Sequence, residues 1–386
     1  MTPNIDFEDI RSYRDDEYRE KIAALLLEPD FKKVIAVVMP EVDYEQFCQQ
    51  ILSINTVADF QKHIISPFLH KLIAQTSKGL ECNGIENIAR DTNYLFMSNH
   101  RDIVLDASFL CLVLQSHQFD TCEIAIGSNL LIYNWIEELV RINKSFIVKR
   151  GVGVRQALEA AKQLSAYIHY AIHEKHQSVW IAQREGRAKD SNDRTQEALV
   201  KMLSLGTESN LLDAIRALNI APLAISYEYD PCDSLKAYEF LQKSKNPDFK
   251  KSPKDDLINM QTGIMGYKGT ITYNFTPCIN NELSHLENES DRGAILQSVC
   301  RIIDRHIHLN YRIYPSNYIA YDMLYKADRW SDQYTTEQKE KFEKYLHGQI
   351  AKLGEFTSDD FQFMYEKMLL MYSNPLKNKM TAEGTT

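Results

Sequence analysis

Between Tyr94 and Leu114 the chain runs apolar, polar, apolar. Tyr94-Leu95-Phe96-Met97 is followed by Ser98-Asn99-His100-Arg101-Asp102, and then by an apolar run from Ala107 to Leu114. A short apolar run, a polar turn and a longer apolar run predict a strand, a sharp turn and the start of a helix. That unit commits the surrounding chain to a layered α/β architecture. It also places His100 in the turn and Asp106 in the first turns of the helix. A neutral imidazole oriented by a carboxylate is a general base. No Ser or Cys stands out as a nucleophile beside it, so such a base would act on a hydroxyl brought by a substrate. Asp102 is a competing partner, but its natural task is to cap the helix N-terminus by accepting backbone N–H bonds.

The rest of the chain supports the same fold class. Candidate strands are Tyr94–Met97, Glu123–Ile126, Phe146–Val148, Val179–Ala182, Ile220–Ser226 and Gly269–Phe275, with helical patterns over Val154–His173 and Ala198–Asn219. Alternating strands and helices predict a layered mixed sheet with flanking helices over residues 81–280. Residues 1–80 read as a helical N-terminal segment: Asp15 to Leu27, Phe31 to Met39, Tyr44 to Ile54 and Val57 to Gln75. In the last of these, Ile64, Ile65, Phe68, Leu69, Leu72 and Ile73 share a face, which suits packing on the next domain or lying on anionic lipid. Lys243 to Lys254 reads as an exposed basic loop, with contact to anionic headgroups as a second use. Residues 281–386 read as a helical C-terminal segment, with helices over Arg292–Ile307, Thr336–Gly354 and Asp359–Tyr372 and a frayed tail from Asn374.

Bulk properties exclude several classes. A net charge of −9 argues against a general nucleic-acid binder. The seven cysteines are scattered, with no C-x-x-C pair, which fits a reduced, cytoplasmic setting. Met1 to Asp6 shows no basic and apolar leader pattern, and no run approaches the ~18 apolar residues of a membrane span. A lipid substrate would therefore be met from the water side, at the inner face of a membrane. His100-Arg101-Asp102 invites a kinase reading, but that loop needs Asn where Ala107 stands, and there is no glycine-rich loop or D-F-G. His169, His173 and His176 fall at metal-compatible helical spacing, although a polar helix face explains them more simply.

Two further segments end strands in cations. Phe146-Ile147-Val148 is followed by Lys149-Arg150-Gly151. Val179-Trp180-Ile181-Ala182 is followed by Gln183-Arg184-Glu185-Gly186-Arg187-Ala188-Lys189. Arginine offers a planar fork to phosphate, lysine a point charge, and glycine lets a backbone come close to a ligand. A fourth segment, Ala221-Pro222-Leu223-Ala224-Ile225, reads as a buried strand with a proline near its start.

In this order the four segments resemble the blocks of the glycerophospholipid acyltransferase superfamily, over roughly residues 81–280. Asn99-His100 with Asp106 matches the first block, Phe146 to Arg150 the second, Trp180 to Lys189 the third and Ala221 to Ile225 the fourth. The helical N-terminal segment also looks like the soluble glycerol-3-phosphate acyltransferases. The chain departs from the family in having five residues between His and Asp where four are usual. In the third block Arg184 stands where an acidic residue is usual; a gap would instead align Glu185-Gly186. The resemblance implies direct acyl transfer, with His100 as base and Asp106 as its partner. Arg150 and Arg187, with Lys149, Arg184 and Lys189, would clamp an acceptor phosphate near Gly186. Backbone N–H groups near Gly186 or in the His100 turn would hold the oxyanion. It implies acyl-CoA or acyl-carrier protein as co-substrate, with glycerol-3-phosphate, lysophosphatidate or another lysolipid or amino-acid lipid as acceptor, and no metal. An acyl-thioester hydrolase and a non-catalytic lipid-binding protein remain the rival expectations.

Overall fold

The computed structural model describes residues 5–385; Met1 to Asn4, part of the segment read for a leader, lie outside it. The N-terminal helices are α1 (Asp15–Leu27), α2 (Pro29–Val38), α3 (Tyr44–Leu52) and α4 (Val57–Phe60), the last running through a π-helical turn, Gln61–Ile65, into α5 (Ser66–Thr76). The sheet-forming part follows as β1 (Gly79–Asn83), β2 (Leu95–Ser98), α6 (Leu105–Ser116), β3 (Glu123–Gly127), α7 (Asn134–Ile142), β4 (Ser145–Val148), α8 (Val154–His173) and β5 (Val179–Ala182). It continues with α9 (Glu197–Met202), α10 (Leu211–Ala217), β6 (Ile220–Tyr227), α11 (Asp233–Lys245), α12 (Pro253–Met265) and β7 (Thr270–Phe275). The C-terminal helices are α13 (Asn280–Leu283), α14 (Arg292–Leu309), α15 (Pro315–Tyr325), α16 (Thr336–Ala351) and α17 (Ser358–Glu383).

The seven strands form one mixed sheet in the order β1-β7-β6-β2-β5-β3-β4. Strands β2 to β6 are mutually parallel, and β7 joins β6 antiparallel. Strict alternation sends β2 side chains to opposite faces. Leu95 and Met97 pack with α8, α10 and α14, while Phe96 packs with α5 and α6. Pro222 is tolerated in central β6 because β7 pairs only from Leu223 onward, and the Pro222 carbonyl is taken by the Thr276 N–H at 3.2 Å.

Several expectations need correction. The expected helix over Ala198–Asn219 is two short helices, because the chain breaks to bring Gly206 onto α8. A Cβ there would sit 2.2 Å from the Ala166 nitrogen. The break's Leu203 carbonyl accepts from Ser165 Oγ and meets His169 Nε2, both at 2.9 Å. His169 is thus a buried structural residue, His176 lies beyond the end of α8, and no metal-binding cluster of these types occurs among the described residues.

Lys243 to Lys254 is not one loop. Its ends belong to α11 and α12, and Lys243 and Lys251 pair with buried Glu239. The tail beyond Asn374 is helical to Glu383: Asn374 Nδ2 donates to the Asp190 carbonyl at 2.7 Å, and Lys379 Nζ to the Tyr311 carbonyl at 3.0 Å. Finally, β1 was not anticipated. It straddles the boundary expected at residue 80 and pairs parallel to β7 as an edge strand. The apolar face of the Val57–Thr76 helix is covered by the protein itself, with Phe60, Ile64, Leu69 and Leu72 in the core.

Candidate active site

In a parallel sheet, ligands bind beyond the carboxyl ends of the strands. The ends of β2, β4 and β5 are where His100, Arg150 and Arg187 emerge. All three line one cleft of about 1450 Å³, together with Lys149, Arg184, Gly186 and Lys189.

The turn after β2 is held from every side. Asn99 acts as a surrogate strand residue: its Nδ2 donates to the Ile225 carbonyl at 2.8 Å and its Oδ1 accepts from the Ile225 N–H at 2.9 Å. Asp102 Oδ1 accepts from the Val104 and Leu105 N–H groups at 2.9 and 2.8 Å, which starts α6. Asp106, in the first turn of α6 and fully buried, folds back. Its Oδ2 lies 2.8 Å from His100 Nδ1 and accepts from the Arg101 and Asp102 N–H groups at 2.6 and 3.0 Å. The pairing fixes the tautomer with the proton on Nδ1, so the Nε2 lone pair is available to a substrate. The Trp180 ring meets the imidazole edge-on at 5.6 Å. The same bonds show that the N–H groups of Arg101, Asp102, Val104 and Leu105 are already taken and cannot hold an oxyanion.

Arg101 anchors the peptide after His100. Its guanidinium makes two bonds to Asp193, at 3.1 and 2.6 Å, and Asp193 also accepts from the Tyr311 hydroxyl at 2.5 Å. Burial opposes the arginine's charge, but Asp193 holds its pKa above the ordinary value. Lys236 Nζ donates to the Arg101 carbonyl at 3.2 Å. Asp102 is raised by burial and by the neighbouring Asp106 charge.

The turn after β5 is built differently. Gly186 sits at φ +67° with no atom within 4 Å of where a Cβ would be. Arg184 Nε and Arg187 Nη1 are buried without hydrogen-bond partners. Arg187 Nη2 donates to Asn259 Oδ1 at 3.0 Å. Burial works against the Arg187 charge, yet Cys232, Asp102 and Asp230 keep its pKa above the ordinary value. Arg150 pairs with Glu185 at 3.0 Å. Lys149 and Lys189 line the cleft but are engaged by Asp9 and Glu239, respectively. Burial lowers the Lys189 pKa. The remaining wall is apolar and comes largely from the N-terminal helices and α7, including Phe31, Val34, Phe47, Phe60, Ile64 and Leu139.

Residues 79–226 match the family model Acyltransferase. Those residues form an acyltransferase domain. It belongs to the superfamily that the four sequence blocks resemble. Among solved structures, the 1-acyl-sn-glycerophosphate (LPA) acyltransferase PlsC from Thermotoga maritima is similar at 12% identity, covering 75% of this chain and 93% of that chain, with a TM-score of 0.35. Comparison with curated proteins gives no match.

The acyltransferase domain carries His100, Asp106 and the strand-end cations Lys149, Arg150, Arg184, Arg187 and Lys189. Several side chains that line its cleft or hold its residues lie outside the matched span: the N-terminal apolar wall lines it, while Lys236, Asn259 and Tyr311 bond to Arg101, Arg187 and Asp193. No local spacing announces them, because each reaches the site through a contact distant in sequence.

Proposed function

We propose that the protein moves a fatty acyl group from acyl-CoA or acyl-carrier protein to a hydroxyl of a phosphate-bearing glycerol acceptor, with glycerol-3-phosphate favoured and lysophosphatidate or a related lysolipid next. The observation that carries this reading is the His100–Asp106 pair opening into a cleft that also holds Arg187 and an apolar wall of a kind that suits an acyl chain.

His100 Nε2 takes the proton of the acceptor hydroxyl as its oxygen attacks the thioester carbonyl. Asp106 stabilises the imidazolium that forms. The tetrahedral intermediate collapses with loss of the thiolate, which recovers the proton from His100. An ester and a free thiol result, and His100 returns to its neutral state. Arg187, with Arg150 and Arg184, holds the acceptor phosphate, and no cofactor enters these steps. Val37 and Met265, 57% and 46% exposed at the cleft lining, suit contact with the inner face of a membrane from the cytoplasm. No helix among the described residues is long and apolar enough to cross one.

The test is acyl transfer from radiolabelled palmitoyl-CoA and palmitoyl-carrier protein to glycerol-3-phosphate, lysophosphatidate or no acceptor, with His100→Ala beside wild type. Acceptor-dependent ester that falls by ~10² to 10⁴ in the variant is expected. Thioester cleavage that ignores the acceptor would make the protein a hydrolase. Lipid binding without turnover would make it a binding protein.

A further inference from the structure

Helix α12 lies beyond the matched domain, yet it is fitted onto the catalytic turn. A Cβ on Gly263 would stand 1.9 Å from Asp102 Oδ2, so only glycine allows this approach to a carboxylate already committed to starting α6. The C-terminal end of α12 is tied down by the fully buried Lys268, whose Nζ donates to the carbonyls of Ile264 and Gly266 at 2.9 and 2.6 Å and to Thr76 Oγ1 at 3.0 Å. One turn before Gly263, Asn259 is 5% exposed. Its Nδ2 donates to the Asp255 carbonyl at 2.7 Å, which leaves Oδ1 aimed at Arg187 Nη2, 3.0 Å away. Cys232 Sγ lies 3.3 Å from the Asn259 carbonyl and fixes the same turn from below. The side chains of Leu257, Met260, Gln261 and Ile264 line the cleft.

An arginine held by a neutral amide keeps its full charge and has its fork oriented. A carboxylate in the same place would orient it equally well but cancel the field that attracts an anion. The hydrogen-bond partner of Arg187 Nη2 is an amide, the carboxylates of Asp102 and Asp230 act on the arginine only through their charge, and Nη1 is without a hydrogen bond.

We propose that α12 is the acceptor-side wall of the active site and that Asn259 is a positioning residue, holding the Arg187 guanidinium so that the unpaired Nη1 is kept for the acceptor's anionic group. This rests on the reading of Arg187 as an acceptor-phosphate ligand.

The experiment measures kcat and KM for glycerol-3-phosphate and lysophosphatidate, KM for palmitoyl-CoA, and thermal unfolding, in wild type, Arg187→Ala, Asn259→Ala and the isosteric Asn259→Asp. Positioning predicts an acceptor KM about tenfold higher in Asn259→Ala, worth ~1.4 kcal/mol, with kcat and donor KM within about twofold. It predicts a larger rise in Asn259→Asp, although that variant forms a new ion pair with Arg187 in exchange for the hydrogen bond to the Asp255 carbonyl. A merely structural Asn259 reverses the order: Asp restores or strengthens the contact and the acceptor KM stays at the wild-type value, which overturns the proposal while Arg187→Ala still raises it. If Arg187→Ala leaves the acceptor KM unchanged, the assignment of Arg187 fails, and this inference with it.

Discussion

The two turns that bracket the cleft are built on opposite plans. After β2, the donors that hold the turn have partners: the Asn99 amide on β6, two backbone N–H groups on Asp106, two more on Asp102, and Arg101 on Asp193; the side-chain atom left unbonded there is an acceptor, Asp106 Oδ1. After β5, the chain passes through a left-handed glycine with open space around it and leaves buried guanidinium nitrogens of Arg184 and Arg187 unbonded. A buried donor without a partner costs stability unless something completes it. The first turn is therefore finished before any ligand arrives, as a base of fixed tautomer requires. The second is left for an anion to complete. The difference separates the group that must be rigid from the groups that must be vacant.

The sharpest break of this comparison is Asp106→Asn. An Asn oxygen can still accept from the Arg101 and Asp102 N–H groups, so the turn survives. That same oxygen still faces His100 Nδ1, so what is lost is the negative charge behind the imidazole. Transfer should fall by ~10² to 10⁴ while thermal unfolding moves little. A large drop in melting temperature with proportionate activity would show that Asp106 serves the turn alone. Next comes stability, where the two turns should respond with opposite sign. Asp193→Ala strands a buried arginine and should cost about 3–5 kcal/mol in denaturant unfolding. Arg184→Met removes a buried Nε that has no partner and should be neutral or stabilising. Equal losses in the two variants would erase the distinction.

The same contrast explains what could be read from the chain. The parallel strands were legible because each is a short apolar run bounded by polar turn residues, and Val179–Ala182 coincides with the expected strand. β1 was not, because Gly79-Leu80-Glu81-Cys82-Asn83 is a part-exposed edge strand with only two apolar-type positions. The break between α9 and α10 depends on Gly206 meeting α8, which no helical periodicity reports. His100 and Asp106 are six residues apart, so a strand-turn-helix reading suffices to bring them together. Arg187 meets Asn259 across 72 positions, Arg101 meets Asp193 across 92 and Asp193 meets Tyr311 across 118. Those contacts are products of the strand order and of where α12 and α14 are laid down. Lys149 and Lys189 teach the complementary point. Their sequence context matches that of Arg187, and only the positions of Asp9 and Glu239 show that they are already paired.

The smallest expected effect probes what the rigidity of the first turn costs. Lys236, which donates to the Arg101 carbonyl, also pairs with Asp230, and three residues on from Asp230 lies Asp233, fully buried with its Oδ2 accepting from the Tyr372 hydroxyl at 2.8 Å. Burial first, and the Asp230 charge second, push the Asp233 carboxyl up from 3.8 to about 7. A carboxyl raised on folding binds its proton more tightly in the folded state, so its contribution is fully present below about pH 4 and is lost as pH climbs to about 7, beyond which the penalty is constant. Asp233→Asn takes that titration away. Measured by denaturant unfolding at pH 5 and pH 8, the variant should gain on wild type by about 2–3 kcal/mol on going to the higher pH. A difference that is flat with pH would mean Asp233 is ionised in the folded protein throughout, with Lys236 supplying enough charge to both carboxylates. The network behind His100 would then be an ion cluster, and no longer one charged pair beside a protonated acid.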